Sequence, residues 1–116
     1  MPSNKQTKKE ESGLGFNSAL KKSIAEGLAS VVGTKTVAAV DFYLDPDIAV
    51  KDIAAYSRSL EKMFTVGSKL IEDRCAQSLF ANLKIKFEPK ENFRLDDYVQ
   101  EARHKWLVGD SFVGAK

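Results

Sequence analysis

The stretches Asp52-Ile-Ala-Ala-Tyr-Ser-Arg-Ser-Leu-Glu-Lys-Met-Phe64 and Gly67-Ser-Lys-Leu-Ile-Glu-Asp-Arg-Cys-Ala-Gln-Ser-Leu-Phe-Ala-Asn-Leu83, joined through Thr65 and Val66, decide the fold. In the first, Ile53, Tyr56, Leu60, Met63 and Phe64 recur at helical spacing. In the second, Leu70, Ile71, Cys75, Ala76, Leu79, Phe80 and Leu83 do the same. The second stripe is much wider than the roughly 100° usual for a helix packed on one side. Such a helix is touched from two directions, either central in a bundle or shared with a second subunit. Sharing predicts a homodimer through Val66, Leu70, Ile71, Cys75, Leu79, Phe80 and Leu83.

Toward the N-terminus, Asn17 or Ser18 is placed to cap a helix whose positions Leu20, Ile24, Gly27, Leu28 and Val31 keep a steady three-or-four spacing. Gly33 supplies its left-handed stop. Thr34 or Thr36 can cap a second helix over residues 37–44, with Val37, Val40 and Leu44 inward and Phe42 and Tyr43 on a neighbouring face. Asp45-Pro-Asp47 ends that helix and Pro46 suits the first turn of the next. Asp45, Asp47 and Asp52 lack the glycine and closing glutamate of an EF-hand loop, so capping explains them better than a metal does.

Toward the C-terminus, Lys84-Ile-Lys-Phe87 alternates polar and apolar, and Glu88 to Glu91 can turn. Residues 84–95 are therefore either a short β-hairpin lying on the bundle or an extended connection. A closing helix follows over residues 95–106, with Asp96 and Asp97 in its first turn, Arg103, His104 and Lys105 in its last, and Leu95, Tyr98, Val99, Ala102 and Trp106 inward.

Composition bounds the rest. The chain of 116 residues, 43% hydrophobic, has material for one domain. Its net charge of +2 carries no global signature of a nucleic-acid binder. Without the first twelve residues, 15 basic stand against 14 acidic. A single cysteine, Cys75, fits packing in a reducing interior, which makes the cytoplasm the expected address. The most apolar stretch, residues 24–44, is broken by Glu26, Lys35 and Asp41, so no membrane span is expected.

No phosphate-binding loop, CxxC pair, nucleophile elbow or metal-spaced histidine pair occurs, and His104 is the only histidine. Every acid reads as a cap or a polar-face residue, so no catalytic residue, cofactor or metal is expected. Thr65-Val66-Gly67-Ser68 also resembles the turn of a helix-turn-helix. That alternative, a DNA-binding transcriptional regulator with its junction in residues 60–80, would use Lys69, Arg74, Lys90 and Arg94. Glu72 and Asp73 on the same helix oppose it. If Gly67 holds positive φ in this turn, Gly67→Val costs about 1–2 kcal/mol in backbone strain.

Leu60-Glu-Lys-Met-Phe64, Gly67 close behind, Ser-Lys-Leu-Ile-Glu72 and Leu95-Asp-Asp-Tyr-Val99 together resemble a small archaeal helical family, the Nitrosopumilus-type output domain. The resemblance implies the output or interaction half of a signal-transduction system, with no catalytic residues to carry over. The combined expectation is mainly α: a compact bundle of about five helices, with a disordered polar tail over 1–15, one domain over 16–107 and a flexible tail over 108–116. It is a non-catalytic protein-interaction domain whose partner is another protein or itself.

Overall fold

The computed structural model describes the backbone of residues 3–108 and the side chains of residues 15–108. Six α-helices follow in order: α1 (Ser3–Val32), α2 (Thr34–Tyr43), α3 (Pro46–Lys51), α4 (Ile53–Phe64), α5 (Ser68–Leu83) and α6 (Leu95–Leu107). A single 3₁₀ turn, Thr65–Gly67, separates α4 from α5. The mainly α bundle is as expected, and no strand occurs among the described residues.

The wide stripe of α5 has its explanation inside the chain. α5 packs against α1, α4 and α6, with α1 its most extensive neighbour. Ile71, Cys75, Ala76, Leu79, Phe80 and Leu83 are buried there with Phe16, Leu20, Ile24 and Leu28 of α1, Tyr56 and Leu60 of α4, and Leu95, Tyr98, Val99 and Ala102 of α6. α1 and α5 approach most closely at Gly27, where an added Cβ would lie 2.5 Å from the Cα and backbone nitrogen of Cys75. Only glycine lets the two backbones meet at that distance.

Several local expectations change. α1 begins at Ser3, before the anticipated cap at Asn17 or Ser18, so its helical backbone continues through the stretch assigned to a disordered tail. Lys, Gln and Glu make up six of residues 1–15 and are good helix formers, which the capping signal at Asn17 does not override. α2 begins at Thr34 with Gly33 as its cap and no side-chain cap bond, rather than being capped by Thr34 or Thr36. Gly33 does carry positive φ, 88° with ψ 154°, a conformation suited to glycine. Residues 109–116, most of the expected flexible tail, lie outside the described residues.

Gly67 has φ −76° and does not supply the left-handed residue of the central turn. Thr65 does, at φ 45° and ψ −115°, unusual for a β-branched residue. The other positive φ on a non-glycine residue among the described residues is at Lys84, φ 60°, which closes α5. There Lys84 N–H donates to the Ala81 carbonyl at 3.1 Å and Ile85 N–H to the Phe80 carbonyl at 2.9 Å. This is a Schellman stop, with Ile85 and Phe80 both buried as its hydrophobic contact.

Residues 84–94 form the extended connection and not the hairpin. Both backbone polar groups of Lys90 are engaged by one side chain: its N–H donates to the Tyr98 hydroxyl at 2.7 Å, and that hydroxyl donates to its carbonyl at 3.0 Å. Phe87 and Phe93 lie on Tyr98 at centroid distances of 5.2 and 5.1 Å instead of facing each other across a ladder. Tyr98 thus takes the place that a second strand would fill.

Candidate functional site

Of the seven residues expected to form a dimer face, Ile71, Cys75, Leu79, Phe80 and Leu83 are core residues of the single chain and offer nothing to a partner. Only Val66, 94% exposed, and Leu70, 48% exposed, reach the surface. Helical period reveals how many sides of α5 are covered but not whose chain covers them, and here α1, α4 and α6 suffice.

The residues of the DNA-binding alternative are dispersed and mostly engaged. Lys69 pairs with Asp73 at 2.8 Å and donates to the Phe93 carbonyl. Lys90 pairs with Glu101 at 3.1 Å and lies over the Phe93 ring. Arg94 is bound by Glu61 and Glu72. Arg74 is exposed with no ion pair among the described residues. A recognition helix must lie open to a groove, whereas α5 is the buried centre of this bundle.

Glu72 corrects the expectation that every acid is a cap or a surface residue, because it is fully buried. Its Oε1 accepts from Ser57 Oγ at 2.8 Å, Leu95 N–H at 2.8 Å and Arg94 Nε at 3.2 Å, while Oε2 takes Arg94 Nη2. Hydrogen bonding to Glu72 raises the Arg94 guanidinium above its ordinary value. Arg94, the N-cap residue of α6, donates its N–H to Asp97 Oδ2 at 2.9 Å. A carboxylate with four hydrogen bonds, two of them from a cation, already has its partners, and the cluster is a structural tie between α4, α5 and α6. Spacing from Cys75, Ala76 and Leu79 could have placed Glu72 inward; its polarity concealed it.

The acids at the α3 and α4 starts behave as caps. Asp45 accepts from Asp47 N–H at 2.9 Å and Asp52 from Ala55 N–H at 3.1 Å. Asp47 pairs with Lys21 at 2.7 Å on the surface, which holds its carboxyl below the usual carboxylate range. Among the described residues no cluster of three potential metal ligands occurs, and no helix is long and apolar enough to cross a membrane.

What the surface does present is apolar. Phe42 and Tyr43, at the C-terminal end of α2, are 82% and 78% exposed and stand edge to face at a centroid distance of 5.1 Å. Beside them a shallow groove of about 350 Å³ is lined by Tyr43, Leu44, Ser59, Lys62 and Met63. Met63, expected inward, is 41% exposed, because α4 turns Tyr56 and Leu60 to the core and Met63 to this groove. Leu44 and Val40, spaced by four, hold α2 to the core, leaving the adjacent ring positions outward. The sequence placed Phe42 and Tyr43 on a neighbouring face; what it did not show is that nothing among the described residues covers that face. Two large aromatic side chains beside an apolar groove can bury area against another surface and carry no chemistry of their own.

Comparison with family models, with functionally characterised proteins and with solved structures finds no match for this chain.

Proposed function

We propose that this chain is a non-catalytic protein-interaction domain that docks through the exposed end of α2 and the adjoining groove of α4. The observation that carries the reading is the pair Phe42 and Tyr43, large aromatics held almost wholly in water by a well-anchored helix. Exposed aromatic clusters of this kind mark protein contact sites, where Tyr and Phe supply area at little cost in side-chain entropy. The resemblance to the archaeal output domains supports the same class, a domain that passes a signal by contact. A cytoplasmic setting belongs to this reading, since the lone Cys75 is a buried thiol.

A photo-reactive amino acid at position 42, introduced in the native cell, tests it. Crosslinks to defined proteins are expected from position 42 and not from the exposed position 77 on α5. Phe42→Ser with Tyr43→Ser should abolish co-purification of the same proteins while the fold persists, because neither ring contributes to the core. Identical background from both crosslinking positions would overturn the proposal.

A further inference from the structure

We draw no further inference here: the strongest candidate, the exposed apolar patch of Phe42 and Tyr43 on α2 beside the groove of α4, belongs to the surface already described, and nothing in the structure shows what covers it.

Discussion

Replacing Gly27 with alanine adds one methyl group, which would lie 2.5 Å from the Cα and nitrogen of Cys75 and 2.7 Å from its Sγ. Carbon atoms in contact prefer about 3.5–4.0 Å, so α1 and α5 would have to separate by about 1 Å. Two of the opposing atoms are backbone, and no rotamer change moves them. Overpacking of this kind costs about 1–3 kcal/mol, here at the upper end because it also loosens Leu20, Ile24 and Leu28 along α1. Alanine returns up to about 1 kcal/mol of helix propensity, for a net loss of about 2 kcal/mol. That is a large share of the roughly 5–15 kcal/mol typical of a small domain and corresponds to a fall of about 10 °C in Tm. Thermal and urea denaturation followed by circular dichroism measure it. Gly67→Ala is the control: nothing lies within 4 Å and φ is −76°, so the same chemical change should be neutral or stabilising. Cys75→Ala should not rescue Gly27→Ala, because the backbone clash remains. An unchanged or raised Tm for Gly27→Ala would refute the close crossing of α1 and α5.

Other substitutions probe the remaining features. The buried Tyr56 hydroxyl has no hydrogen-bond partner among the described residues, so Tyr56→Phe should stabilise the fold by about 1 kcal/mol in urea melts. Arg94→Ala leaves Glu72 charged and buried, and a loss of about 3 kcal/mol is expected; a loss under 1 kcal/mol would show that the tie between α5 and α6 is dispensable. Thr65→Gly and Lys84→Gly should each raise stability by about 1 kcal/mol, since both side chains are exposed and both backbones sit at positive φ. Burial, and secondly the charge of Glu72, push the Cys75 thiol from 9.0 to about 12. The unfolded chain therefore releases this proton at lower pH than the folded one. Stability should fall by up to about 1.4 kcal/mol per pH unit above pH 9. Cys75→Ala should flatten that slope, and equal slopes for the two proteins would contradict a buried neutral thiol.

The helices were largely legible because their spacing is regular. Tyr56 and Leu60, Cys75 and Leu79, and Tyr98 and Ala102 are buried as their period requires. Gly33 declared its turn, and the closing helix starts at Leu95 as expected. What escaped is long-range in sequence. Arg94 meets Glu72 across 22 positions and Gly27 meets Cys75 across the bundle, and no local pattern reports such meetings. The same blindness misassigned the α5 face: a helix central in its own chain and one shared between chains carry the same stripe. Thr65, not Gly67, takes the left-handed position because the α4–α5 turn falls two residues before the glycine. The exposure of the Phe42 and Tyr43 rings became visible only once α2 was placed against its neighbours.

The Glu72 carboxylate also settles alignment. Greasy helices can slide past one another by a turn, about 5.4 Å, and still bury comparable area. Such a slip of α6 would carry the Leu95 amide and the Arg94 fork out of reach and strand an anion in the dry centre of the molecule. One ionised group thereby singles out a single docking position for the last helix, and with it the path of the connecting segment that Tyr98 grips.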